Sequence, residues 1–421
     1  MKTNEEMLKA LESLLVIDSV CRPGEGGKPF GIGADKALET ALALCADLGF
    51  KTKNCDGKIG WAEIGEGDEM IGILAHLDVV PEGSGWEYPA FGCTVVDGKV
   101  YGRGTSDDKG PAVTAIFAMK DLLDSGKKLN RRIRIIFGLS EEVGDWPDME
   151  YYKQTEELPV FGFTPDASFP ALYGEKGIAD FSVTMPLEKS GFESVAGGQA
   201  VNMVPDSACA VVNGKTYSAE GKSAHGSTPA EGVNAISKLM HELCQLPDAP
   251  FAAKVYDELI GFNCDASGMD CNLCDEQSGA LTHNVGVVKS ENGVFEMLFD
   301  IRYPVTKSLE EVKTRLEKAL CPHGFDVKCY THKAPVYMDK NGPVIKALMS
   351  AYRDETGDNE TEPAVIGGGT YARAMDNIVA FGPGLPGREG TEHQKNEYVL
   401  LEDFYLARKI YRTALERLLE I

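Results

Sequence analysis

ILAHLDVVPEGSGW, residues 73–86, begins as interior β-structure and ends in reactive side chains. Ile71, Ile73, Leu74 and Ala75 show no polar alternation, as expected of a strand covered on both faces. His76 and Asp78 follow at once, and residues two apart on an extended chain share a side. A carboxylate beside a histidine is a usual means of orienting the ring for metal binding at its other nitrogen. A histidine satisfied by a local hydrogen bond would look the same, so the pair gains meaning only from what accompanies it.

Around that strand the first 170 residues alternate helix and strand patterns. One helix is predicted over about 34–48, closed by Gly49. A second starts near Pro111 in GPAVTAIFAMKDLLDSG, where proline suits the first turn. RRIRIIFGLS (131–140) and LPVFGFT (158–164) read as further strands. Such alternation predicts an α/β domain with a central sheet flanked by helices. From about residue 176 the texture changes. ADFSVTM, SACAVVN and KTYSAEG read as strands, and VNAISKLMHELCQL as an amphipathic helix. VFEMLFDIRYP (294–304) alternates Phe295, Met297, Phe299 and Ile301 with Glu296, Leu298, Asp300 and Arg302, the period of a half-buried antiparallel strand. Ser308 and Glu311 then open a helix as a capping box. Strand IVAFG (378–382) and a closing helix from LLEDFYLARK onward return to the first texture. The expected organisation is therefore a catalytic domain over 1–175 and 335–421, with an α+β domain inserted over 176–334.

Bulk composition narrows the function. The chain has 421 residues, 43% apolar and 25% charged, which suits a globular protein of more than one domain. Its net charge of −23 repels phosphate backbones and argues against nucleic acid as a partner. The opening MKTNEEMLKALESLLVI carries acids, unlike a secretory signal, and no apolar run is long enough for a membrane span. A cytoplasmic location without membrane contact is expected. Eleven scattered cysteines then read as reduced thiols, including the group Cys264, Cys271 and Cys274 near His283, which lacks the second pair of a structural zinc site.

Other passages from strand to loop resemble the one at His76. YGRGTSDDKGP (101–111) presents Asp107 and Asp108; SEEVG presents Glu141 and Glu142; PDASFP presents Asp166; GTEHQKNE presents His393. Each residue has an ordinary explanation as a helix cap, a turn residue or a solvated charge. Five passages bringing His, Asp or Glu to one sheet edge exceed those explanations, because ligands of α/β sheets bind beyond the carboxyl ends of strands. Two imidazoles with several carboxylates suit zinc or manganese without a thiolate. Asp107, Glu142 and Asp166 offset three of the four charges of two dications and a hydroxide the fourth, which leaves Glu141 free to act as a base. Other schemes fail on single residues. GKS at 221–223 has Thr216 where a P-loop needs glycine, GLSEE has Glu142 where a nucleophile elbow needs glycine, and Gly31 and Gly33 are followed by Lys36 where a dinucleotide loop needs a third.

With these residues assembled, the chain resembles the dinuclear-zinc peptidases that include carboxypeptidase G, acetylornithine deacetylase and succinyl-diaminopimelate desuccinylase, and within them the PepV-type dipeptidases. The resemblance runs through HLDVVPEGSGW, YGRGTSDDKGP, EEVG, TPDASFP, YGEKG, GKSAHGSTPAEGVNA, FDIRYP, IGGGTYARAM and HQKNEY, in order along nearly the whole chain. It implies two divalent metal ions, zinc first and manganese as the alternative. His76, Asp107 and Asp166 would hold one, and Asp107, Glu142 and His393 the other. It implies Asp78 as the residue orienting His76, Glu141 as general base toward a metal-bridging water, and a cis peptide after Asp107. It makes the insertion a lid, in which His225 faces the scissile carbonyl and Arg302 holds a substrate carboxylate. Asn202, Gly368, Gly369 and Thr370 become substrate contacts. The length of the lid implies a monomer. The function implied is hydrolysis of dipeptides with both termini free. An N-acyl amino acid deacylase or carboxypeptidase with the same metals, and a non-catalytic peptide-binding protein, are the rival readings.

Overall fold

The structure is a computed structural model and describes residues 2–421. It divides into two compact units. The first comprises the described residues up to Tyr173, with Met338–Ala364 and Thr370–Ile421; the second comprises Gly174–Tyr337 and Val365–Gly369.

The sheet of the first unit is ordered Lys51–Cys55, Ile59–Ile64, Arg132–Gly138, Met70–His76, Phe161–Thr164, Ile378–Phe381, Ala171–Glu175. Its centre is parallel. Met70–His76 runs in register with Arg132–Gly138, so that His76 lies opposite Gly138, and Phe161–Thr164 and Ile378–Phe381 continue in the same direction. Every residue of Met70–His76 is buried, as its unbroken apolar run predicts. The strands Ile59–Ile64 and Lys51–Cys55 add an antiparallel edge.

Helix Lys109–Asp124 (GPAVTAIFAMKDLL at its heart) is buried almost all round, as expected of a helix apolar on every side. Leu401–Leu418 and Asn4–Leu15 pack against it. Of the two charged groups it buries, Lys109 and Asp121, the second is paired with Arg408 in a two-pronged contact, Nε–Oδ2 at 2.7 Å and Nη2–Oδ1 at 2.6 Å. Among the described residues no helix is long and apolar enough to cross a membrane. All eleven cysteines are free thiols.

The second unit is a seven-stranded sheet ordered Lys215–Glu220, Ser207–Val212, Ser194–Gly197, Thr282–Glu291, Val294–Tyr303, Gly177–Pro186, Asp326–Lys333, antiparallel throughout. Helices Ala235–Cys244, Phe251–Leu259 and Leu309–Leu320 share one core with Phe295, Met297, Phe299 and Ile301. Alternation along Val294–Tyr303 stops short of its predicted length. Glu296 and Leu298 are half-exposed, but Asp300 and Arg302 are buried. Val365–Gly369 joins this unit because Ile366 accepts the Lys176 N–H and Gly367 accepts Arg302 Nη1.

His283, within this core, lies edge-on to Phe299 with ring centroids 4.7 Å apart. Burial pushes its imidazole down to about 4, against the opposing pull of the Asn263 backbone and Asp265. The unfolded chain binds this proton near the ordinary histidine value, so the contribution of His283 to stability is full above pH 6.5 and is lost as pH falls toward 4. The loss amounts to about 3 kcal/mol at most. Urea unfolding followed between pH 7 and pH 4 should show a shallower fall for His283→Leu than for the parent.

Candidate active site

The four parallel strands end at one sheet edge, and each is followed by a predicted site residue. His76 closes its own strand; Glu141 and Glu142 follow Gly138; Asp166 follows Thr164; His393 follows Phe381 through a longer loop. Asp107 arrives differently. Its loop follows Lys99–Tyr101, which belongs to a separate three-stranded sheet with Thr94–Val96 and Tyr398–Leu400. The expectation of five passages from one sheet therefore holds for four, and the fifth comes from a small sheet that also positions the segment after His393.

Asp107 stands between the two imidazoles. Its Oδ1 is 2.9 Å from His76 Nε2 and its Oδ2 is 3.0 Å from His393 Nε2. Asp166 Oδ2 lies 3.8 Å from His76 Nε2, and Glu142 Oε2 lies 3.1 Å from His393 Nε2. Two groups of ligand atoms result, His76/Asp107/Asp166 and Asp107/Glu142/His393, each within 4.8 Å, with Asp107 common to both. The Asp107–Asp108 peptide is cis.

Electrostatics favour cations here. Burial, together with neighbouring acids, pushes Asp108, Glu141 and Asp166 well above the usual carboxylate range, and Glu142 upward. His393 is drawn up to about 11 by Asp107 and Glu142. His76 Nε2 and Asp107 Oδ1 are buried and face each other without hydrogen-bond geometry, so two strong polar atoms have no hydrogen-bond partner. Orphaned atoms of this kind are costly unless a ligand completes them. Oxygen and imidazole donors, orphaned and excessively negative, are a donor set that fits divalent cations.

The supports of these side chains were only partly foreseen. His76 Nδ1 meets the Asp78 carbonyl at 3.0 Å, and the Asp78 carboxylate is farther away at 3.5 Å. That carboxylate instead accepts the backbone N–H groups of Glu141 and Glu142, at 3.2 and 3.1 Å. Asp108 occupies the N-cap position without capping, and its Oδ2 accepts the His76 N–H at 3.0 Å. Glu397 had no predicted role. It is fully buried, is paired with Arg103 at 2.6 Å, and accepts the N–H groups of Gly104, Ser106 and Asp107. Its only sequence signal was its place in HQKNEY, four residues after His393.

The remaining predicted residues fall elsewhere. Thr370 belongs to the first unit, where its hydroxyl caps the short helix Tyr371–Ala374. His225, Asn202, Arg302, Gly368 and Gly369 belong to the second unit. There the Asn202 carbonyl accepts the Gly226 N–H at 2.7 Å. Arg302 is gripped by Asp300, Nε–Oδ1 at 2.6 Å and Nη2–Oδ2 at 2.8 Å, while Nη1 donates to the Gly367 carbonyl at 3.2 Å. A side chain at Gly226 would strike the Asp300 carboxylate, which is how that loop covers the pair. Glu296, in the same phase of strand Val294–Tyr303, is engaged by Ser182 and Lys289.

An α/β unit whose parallel strands end at a two-imidazole, multi-carboxylate centre is the architecture of a metal-dependent hydrolase. The chain belongs to Peptidase family M20/M25/M40, whose profile matches residues 72–417. It is 35% identical to a Bacillus subtilis protein named "Putative dipeptidase YtjP" over 459 aligned positions, which cover 99% of this chain and 98% of the relative. A metallo-carboxypeptidase of the M20 family from Sulfolobus solfataricus shares the fold with a TM-score of 0.63 at 19% identity, over 99% of this chain and 100% of that one. The Bacillus subtilis YXEP protein, described as a dinuclear metal-binding peptidase of the M20 family, matches with a TM-score of 0.59 at 11% identity, over 99% and 98%.

Proposed function

We propose that this protein hydrolyses dipeptides whose amino terminus and carboxylate are both free. The observation that carries the proposal is the sharing of Asp107 between two imidazole–carboxylate groups, with Glu141 beside Glu142 on the adjoining loop. His76, Asp107 and Asp166 would hold one divalent cation, and Asp107, Glu142 and His393 a second, zinc or manganese. When bound, such a pair lowers the pKa of water between the ions and polarises the scissile carbonyl.

Glu141 is the acid left over from those two groups, and burial favours its protonated form. In this reading its carboxylate takes the proton from the attacking water and passes it to the leaving amine. His225 Nδ1 accepts the Ser227 N–H at 3.1 Å, which leaves the neutral ring's proton on Nε2, a donor suited to an oxyanion. Arg302 has five N–H donors, of which Asp300 takes two and Gly367 one. One N–H on each terminal nitrogen remains for a bidentate grip on a substrate carboxylate. In this reading His225 and Arg302 act on the substrate, with Asn202, Gly368, Gly369 and Thr370 as further contacts. The active form in this proposal is a cytoplasmic monomer.

The test is metal analysis of purified protein combined with cleavage of free dipeptides, N-acetylated dipeptides and tripeptides, before and after chelation. Free dipeptides should be cleaved fastest, and activity should vanish with chelator and return with zinc or manganese. Preference for the acetylated set would replace the proposal with an acylase, and metal-independent cleavage would end it. Light scattering that gave an obligate dimer would refute the monomer.

A further inference from the structure

Two buried side chains outside the candidate metal ligands converge on the loop that carries Glu141. Asp148, on helix Pro147–Thr155, is completely buried. Its Oδ2 accepts the N–H groups of Leu139 at 2.6 Å and Ser140 at 3.0 Å, together with the Tyr371 hydroxyl at 2.5 Å. Asp78 takes the next two N–H groups, those of Glu141 and Glu142. Four consecutive amides are thus divided between two buried carboxylates, which fixes the peptide planes from Leu139 to Glu142.

The other side of Glu141 is held as well. Its carbonyl accepts Trp146 Nε1–H at 2.9 Å, and the Trp146 ring meets Tyr371 edge-on at 5.3 Å. Tyr371 also stands edge-on to His76, with centroids 6.1 Å apart. A side chain at Gly138 would overlap the Tyr371 hydroxyl, so the strand before the loop ends in the residue that admits this tyrosine. Burying a carboxylate and a phenol is costly unless both are fully bonded. Here the phenol donates to the carboxylate, and the carboxylate accepts from the backbone of a single short loop.

We infer that Asp148 and Tyr371 are positioning residues for Glu141, holding the Leu139–Glu142 backbone so that the base reaches its proton. The inference rests on the reading of Glu141 as base. Displacement of about 1 Å of a catalytic group is enough to lower a rate by orders of magnitude.

The experiment measures kcat and KM on a free dipeptide for Tyr371→Phe and Asp148→Asn, each in the parent chain and in a Glu141→Gln chain, alongside unfolding midpoints. In the parent, either substitution should lower kcat by about tenfold or more and leave KM within about twofold. In the Glu141→Gln chain the same substitutions should change the residual rate by under about twofold, because their effect passes through Glu141. Equal fold-losses in both chains would show a purely structural role and overturn the inference, as would unchanged kcat in the parent. Should Asp148→Asn fail to fold, Tyr371→Phe decides, since it keeps the ring and removes only the oxygen. Parental activity in Glu141→Gln itself would instead overturn the reading of Glu141 as base.

Discussion

Glu141→Gln should lower kcat by about 10²–10⁴-fold while KM stays nearly constant. The substitution keeps the shape of the side chain and removes its capacity to accept a proton. Glu141 lies outside both groups of candidate metal ligands, so the purified variant should carry the same metal content as the parent. Its backbone N–H stays with Asp78 and its carbonyl with Trp146, so the fold should be unaffected. Loss of metal together with activity would mean that Glu141 is a ligand and that the base lies elsewhere. Full retention of activity would show that Glu141 is not the base.

Arg302→Lys should lower kcat/KM on free dipeptides by about 10²-fold and change the rate on dipeptide amides little. Lysine keeps a cation beside Asp300, whereas an apolar replacement would strand a buried carboxylate at a cost of about 3–5 kcal/mol and confuse recognition with folding. What lysine lacks is the planar fork, whose Nε/Nη2 edge is held by Asp300 and whose Nη1 donates to Gly367. The measurement is a paired assay of acid and amide substrates with unfolding midpoints. An equal proportional loss on both would remove Arg302 from carboxylate recognition.

The parallel core was legible because its strands are continuous apolar runs ending abruptly in polar residues, as at Ala75–His76 and Phe163–Thr164. The antiparallel edge was not. KTKNC (51–55) is polar and mostly exposed, and its strand exists through pairing with Ile59–Ile64 rather than through any pattern of its own. The candidate ligands could be read as residues, since chemistry limits which side chains hold divalent ions. Their supports could not. Asp148, Tyr371, Asp300 and Glu397 look like surface residues in sequence, and only tertiary packing gives each its buried hydrogen-bond partners. Alternation along Val294–Tyr303 misled for the same reason: Asp300 and Arg302 fit the polar phase of the strand but are covered by the Gly226 loop.

The clasp of Glu397 on the Asp107 loop joins positions nearly three hundred residues apart, and this bears on biosynthesis. A nascent chain halted before His393 has neither the second imidazole nor the acid that ties down the Asp107 loop. Such a fragment lacks part of the centre, so peptidase competence would be acquired only once the segment through Glu397 has left the ribosome.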